Sequence, residues 1–132
     1  MEPVEINGGR FYVRPLHFDE RIDDTHALSL IPTNPDTLAT EKNLMILPQM
    51  ARDLWLSDVL YSWAVCEQTS VDLVALALYS PAEDRLELFP SGDPERILPN
   101  TDAQLRDKTP ADAVIEARGP ITRFIDATRS NK

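Results

Sequence analysis

The sequence predicts an α+β domain, with an antiparallel sheet of three or four strands and helices packed mainly on one face. Residues 59–89 contain three consecutive strand-like stretches with short connections, which is typical of an antiparallel meander. Apolar residues recur at helical spacing before the meander, in 18–30, and after it, in 109–129. The chain has 132 residues, a length that suits one domain.

The three stretches of the meander differ in their alternation of apolar and polar residues. In 59–68 the sequence alternates between two apolar sets, which places Trp63 on one face and Cys66 on the other. Residues 71–79 are apolar almost throughout, which indicates a central strand buried on both faces. Residues 84–89 alternate between charged and leucine positions and predict a strand with one solvated face.

Before the meander, one strand and three helical stretches are expected. Residues 9–16 are β-branched and aromatic and predict a strand. The helix predicted over 18–30 is followed by a proline-containing loop over 31–36. Asp36 or Thr37 is expected to cap a second helix, and Pro48 to begin a third.

The third helix, "PQMARDLWL", is expected to turn Leu47, Met50 and Leu54 toward the core. Trp55, near its end, is the aromatic residue that we expect to be partly exposed.

After the meander, residues 90–108 are polar and contain three prolines, which predicts a long loop. The following helix should begin with Thr109 as its N-cap and Asp112 three residues later. Gly119-Pro120 should kink or split this helix. Residues 1–9 and 129–132 are expected to be flexible.

Composition excludes several classes of protein. With 22 acidic and 13 basic residues, the net charge is −9, and a surface of this sign repels phosphate backbones, so no nucleic-acid partner is expected. No apolar run reaches the roughly 18 residues of a membrane span, and no secretory signal is expected. A single cysteine forms no internal disulfide, which favours a cytoplasmic protein. The negative charge serves solubility or docking on a basic partner surface.

The stretch "LHFDERIDDTHAL" holds both histidines and a cluster of carboxylates. On a helix, Asp19, Asp23 and His26 lie along one side, and Asp24 is adjacent. His17 precedes the helix and no further ligand completes a zinc set, so no metal site is predicted. We interpret this side as a solvated acidic face and a candidate partner-binding surface.

Three further residues are candidates for a catalytic or binding role. Cys66 lies in a strand beside apolar residues and is expected to be a buried structural thiol rather than a nucleophile. Ser91 lacks the G-x-S-x-G surroundings of a serine nucleophile. Trp55 completes the candidate partner-binding set, because exposed aromatic residues often anchor interfaces. No catalytic residue and no cofactor are predicted.

Two stretches resemble the GNAT N-acetyltransferase superfamily. "FYVRPLHFDERID" is similar to its first strand and helix, and "YSWAVCEQTSVDLVALALYS" to its second and third strands. The resemblance covers roughly residues 10–89 and implies acetyl-CoA binding through a glycine-rich loop after the fourth strand. Here that region reads "LELFPSGDPERILPN", with one glycine and two carboxylates where the pyrophosphate would lie. No site residue of the family can therefore be carried over.

Two functions are compatible with these observations. The first is a non-enzymatic protein-binding domain, such as an inhibitor, adaptor or assembly factor, with a degenerate acetyltransferase-like half. The alternative is a reduced GNAT-like protein that binds an acyl-CoA or nucleotide ligand.

Overall fold

A computed structural model describes residues 1–16, 23–68, 70–99 and 104–130. These residues form five strands and three helices. They are β1 (Ile6–Gly8), β2 (Phe11–Pro15), α1 (Thr25–Ser29), α2 (Glu41–Leu56), β3 (Tyr61–Glu67), β4 (Leu73–Ser80), β5 (Arg85–Pro90) and α3 (Pro110–Ser130). No helix of this described part is both long and apolar enough to cross a membrane.

The five strands form one antiparallel sheet in the order β1-β2-β3-β4-β5. The α+β class and the central meander are confirmed, but the sheet has five strands where three or four were expected. The additional strand is β1, which pairs Ile6 with Val13 and Gly8 with Phe11. The segment 1–9, which was expected to be flexible, thus includes a paired strand at residues 6–8.

Helices cover both faces of the sheet, so the expectation of helices mainly on one face is wrong. Alternate residues of β3 belong to two separate cores: Trp63 and Val65 pack in the core that includes α3, whereas Ala64 and Cys66 pack in the core that includes α1 and α2. All residues of β3 and β4 are buried. A strand buried on both faces needs a covering layer on each, and a single layer of helices cannot supply both.

Helix α2 is one continuous helix and not the two predicted ones. Thr40 is its N-cap, and the Thr40 Oγ1 accepts a hydrogen bond from the backbone N–H of Asn43 at 3.1 Å. Pro48 lies inside the helix. Because the helix is unbroken, its buried side is Leu44, Leu47, Ala51 and Trp55. The predicted face was right for Leu47, but Met50 is 42% exposed.

Helix α3 begins as predicted. The Thr109 backbone N–H donates to Asp112 Oδ2 at 3.0 Å, and the Asp112 N–H donates to Thr109 Oγ1 at 3.2 Å, which is a reciprocal cap. The helix continues through Gly119 and Pro120 without splitting. Its apolar side, which includes Ile121, packs on the sheet.

Between β5 and α3, residues 91–99 and 104–109 form no helix or strand. This segment is anchored in the core at Leu98, which is 2% exposed. The Leu98 N–H donates to Lys108 O at 2.9 Å, which joins the two described parts of the segment. The path leaves a cleft between this segment and the start of α1.

Candidate functional site

A cleft of about 420 Å³ lies at the end of the sheet where β3 ends, β4 begins and β5 ends. The start of α1 forms one wall, and the segment after β5 forms the other. Its lining combines apolar side chains, chiefly Leu30, Val71 and Leu98, with charged ones. Strand ends meet here because antiparallel strands deliver their connections alternately to the two edges of a sheet.

One side of the floor is a buried ion pair between β2 and the start of α1. Arg14 Nη1 and Nη2 donate to Asp24 Oδ2 and Oδ1 at 2.9 and 2.8 Å, and both residues are at most 3% exposed. Arg14 also donates to the carbonyls of Pro15 and Val71, at 3.1 and 2.8 Å. The guanidinium thus connects β2, α1 and the turn that leads into β4.

Burial by itself lowers the pKa of Arg14, because it penalises the charged form. The hydrogen bonds and charge of Asp24, with contributions from Cys66 and Tyr12, act in the other direction, and the net pKa is raised. Arg14 therefore stays a cation in the core and needs the Asp24 carboxylate as its counter-ion.

The other side of the floor is a second ion pair, formed by Glu67 at the end of β3. Arg10 Nε donates to Glu67 Oε1 at 2.6 Å, and Glu67 is 4% exposed. Arg10 Nη1 donates to the carbonyl of Arg106 at 2.7 Å, which ties the loop before α3 to the sheet. Both carboxylates of the floor are therefore neutralised by guanidinium groups from the N-terminal part of the chain.

The rim carries an excess of negative charge. Asp23 and Asp72 are exposed carboxylates, whereas Arg96 is a half-buried cation that donates to Ser91 O at 3.3 Å. Asp23 Oδ1 accepts the backbone N–H of Thr25 at 2.9 Å, and hydrogen bonds from the side chain and backbone of Thr25 lower the pKa of Asp23. Asp23 is therefore ionised throughout the physiological range. His26 is exposed and completes the rim beside it.

The structure brings together three of the five residues predicted to bind a partner. Asp23 and His26 lie on the rim, and Asp24 lines the floor. Asp24 was expected on an exposed acidic stripe, but its side chain is buried in the ion pair with Arg14. Asp19 and His17 lie outside the described residues.

Trp55 was predicted to be a partly exposed anchor of an interface, but it is buried. Its side chain is fully buried, its indole N–H donates to Ser62 O at 3.1 Å, and its ring stacks on Tyr61 with 4.4 Å between centroids. The prediction is wrong because it assumed a short helix that began at Pro48. On the longer α2, Trp55 falls on the same side as Leu47 and Ala51 and points to the core.

Neither candidate nucleophile is poised for attack. Cys66 is fully buried, as predicted, and burial raises the pKa of its thiol to about 11. Ser91 is 1% exposed, and its hydroxyl donates to Ala27 O at 2.7 Å. Among the residues described, no group of three or more His, Cys, Asp or Glu side chains is arranged to hold a metal ion.

Three residues that line the cleft were not foreseen from the sequence, namely Glu67, Asp72 and Arg96. Nor were Arg10 and Arg14, which pair with the lining carboxylates of Glu67 and Asp24. A usable signal existed for Arg14, since it is the one charged residue in the apolar stretch "FYVRPL", and a cation that is buried in such a strand requires an anion. No comparable signal marks Asp72 or Arg96, which lie in polar connections.

No protein-family model, no curated protein and no solved structure matches this chain. The geometry of the cleft and the charge of the chain are therefore the observations from which function is inferred.

Proposed function

We propose that this protein is a small protein-binding domain, acting as an inhibitor, adaptor or assembly factor, and that its cleft receives a basic segment of the partner. The observation that carries the proposal is the charge of the described rim residues, among which two carboxylates, Asp23 and Asp72, outnumber one guanidinium, Arg96. Since the ion pairs of the floor are neutral, the charge of the cleft is set by the rim, and this negative charge attracts a cation.

The shape of the cleft suits the chemistry of a lysine or arginine side chain. These side chains have an apolar stem and a charged head. The walls at Leu30, Val71 and Leu98 offer apolar contact to the stem, and the rim carboxylates offer ion pairs to the head. With a net charge of −9, the whole molecule adds long-range attraction for a basic partner surface and raises the rate of encounter.

The proposal is tested with fluorescein-labelled hexapeptides of arginine, lysine, glutamate and serine, whose binding to the full chain is followed by fluorescence anisotropy at 25 and 150 mM salt. We expect the two basic peptides to bind, and binding to weaken as salt rises, because the contacts on the rim are exposed. The double variant Asp23→Asn, Asp72→Asn should bind them roughly three- to tenfold more weakly.

The matched control is Glu2→Gln, Glu83→Gln, which changes the net charge by the same amount at exposed positions outside the cleft. Glu83 lies in the β4–β5 turn, at the opposite end of the sheet. Equal losses in the cleft variant and the control, or equal binding of basic and acidic peptides, would contradict the proposed site.

A second candidate is a reduced acetyltransferase-like protein that binds an acyl-CoA or nucleotide ligand. The order strand, helix, helix and three-strand meander, observed from β2 to β5, favours it. Asp93 and Glu95, which follow β5, oppose it because they would repel a pyrophosphate. A rise in melting temperature with acetyl-CoA, coenzyme A or AMP, and none with hexa-arginine, would favour this candidate over the first.

A further inference from the structure

The outer side of α2 is unusually apolar for an exposed surface. Among the described residues, ten large hydrophobic side chains are exposed, and four of them lie on this one helix. They are Met45, Ile46, Met50 and Leu56, and Met45 is 75% exposed. The buried side of the same helix is Leu44, Leu47, Ala51 and Trp55, so these four residues are not needed for the core.

A stripe of four residues on this surface has an ordered pattern of charge. Lys42, Ile46, Met50 and Asp53 are spaced by four, four and three residues, so they follow one side of the helix. The stripe reads cation, apolar, apolar, anion. Lys42 and Asp53 are exposed, and neither forms an ion pair with another of the residues described.

This pattern is complementary to itself when reversed. If a second α2 lies antiparallel against the first, Lys42 of each copy is level with Asp53 of the other, and Ile46 of each with Met50 of the other. We infer that α2 is the interface of a homodimer, in which two copies of this chain pair through this stripe about a twofold axis. Such an interface uses the same patch on both copies, as twofold symmetry requires.

The charge distribution favours a second copy as the occupant. Two molecules of net charge −9 repel each other over most of their surfaces. Helix α2 is locally neutral, with Glu41 and Asp53 balanced by Lys42 and Arg52. The antiparallel arrangement also sets opposite charges against each other twice, which an uncharged apolar partner would not exploit.

The interface is small, which sets the expected affinity. A helix of 16 residues is about 24 Å long. One pair of such helices buries less than the roughly 800 Å² per partner of a standard interface, so we expect a dissociation constant in the micromolar range. This interface lies on a different element from the cleft and does not depend on the proposed function.

The experiment is sedimentation velocity on the full chain from about 1 to 300 µM. The wild type should shift from monomer to dimer over this range. Lys42→Asp and Asp53→Lys, each alone, place like charges opposite each other twice and should weaken the dimer roughly tenfold. The double variant Lys42→Asp, Asp53→Lys restores opposite charges and should recover the affinity of the wild type.

These substitutions separate dimerisation from folding. An aspartate at position 42 lies in the first turn of α2 and a lysine at position 53 in its last turn, and the helix dipole favours both. Melting temperatures should therefore not fall. The control Ile115→Glu removes a 71% exposed apolar side chain from α3 and should leave the dimer unchanged.

A chain that stays monomeric to 300 µM would overturn the inference. So would a dimer that is insensitive to the single charge reversals, or one that the double variant does not restore, because the interface would then lie elsewhere or have another register.

Discussion

Removing the carboxylate of Asp24 should strongly destabilise the domain. Asp24→Ala deletes the two carboxylate oxygens that accept from the Arg14 guanidinium. The guanidinium is 2% exposed and keeps only the uncharged carbonyls of Pro15 and Val71 as acceptors. A buried charge left without its counter-ion costs about 3–5 kcal/mol. Since a domain of this size is stable by about 5–15 kcal/mol, the variant should lose a large fraction of its free energy of unfolding.

Asp24 is not a side-chain cap, and the contribution of the ion pair is isolated by a matched double variant. It occupies the N-cap position of α1, but its side chain makes no capping hydrogen bond. The matched variant is Arg14→Met, Asp24→Ala, which removes both charges. We expect it to recover at least half of the lost free energy, since replacing a buried pair by apolar groups is often nearly neutral.

Urea denaturation followed by tryptophan fluorescence measures both variants, because Trp55 and Trp63 are buried in the native core. With a slope of about 2 kcal/mol per molar urea, the midpoint of Asp24→Ala should fall by roughly 2 M. A loss below about 1 kcal/mol in Asp24→Ala, or a double variant no more stable than Asp24→Ala, would refute the account of Arg14 as a buried cation that depends on this carboxylate.

Four further outcomes are expected. Cys66 should react with a thiol reagent only under denaturing conditions, because the side chain is fully buried and its pKa is raised from 9.0 to about 11; fast labelling of the native protein would contradict its burial. Because the folded-state pKa is raised, the protonated thiol contributes stability below pH 9, and this contribution is lost between about pH 9 and pH 11. Between pH 9 and pH 10, the free energy of unfolding of the wild type should therefore fall by roughly 1 kcal/mol more than that of Cys66→Val. Trp55→Ala should cost about 3–5 kcal/mol in urea denaturation, whereas Trp55 as an exposed residue would be nearly neutral on removal. Thr109→Ala should cost about 1 kcal/mol in the same assay, since it removes the hydroxyl that accepts the Asp112 N–H; an unchanged midpoint would mean that the cap contributes nothing.

Local patterns were sufficient for the elements whose signals lie within a few residues. Alternation in the meander predicted β3, β4 and β5, and it assigned Trp63 and Cys66 to opposite faces. The pair Thr109 and Asp112 predicted the start of α3. Both signals are local, because side chains alternate between the two faces of a strand with a period of two residues and the helix cap involves only four consecutive residues.

Proline was the signal that misled most. Pro48 was expected to begin a separate helix, and Gly119-Pro120 to kink or split its helix. Pro48 instead lies inside the continuous α2, and Pro120 does not split α3. A proline removes one hydrogen bond and introduces a local clash, which costs about 3 kcal/mol in an isolated helix. Burial of Leu44, Leu47, Ala51 and Trp55 on the sheet favours the continuous α2, and this contribution depends on a surface that the helix alone does not have.

Composition and short-range periodicity were sufficient to predict the α+β class, the central meander, the buried thiol and the acidic character of the surface. The tertiary structure decided the covering of both faces, the edge strand β1 and the cleft. The charged floor of the cleft joins Arg10 to Glu67 and Arg14 to Asp24. Partners 57 and 10 positions apart become neighbours only when β2 pairs with β3 and α1 folds back on the sheet, so no local pattern indicates which carboxylate neutralises which guanidinium.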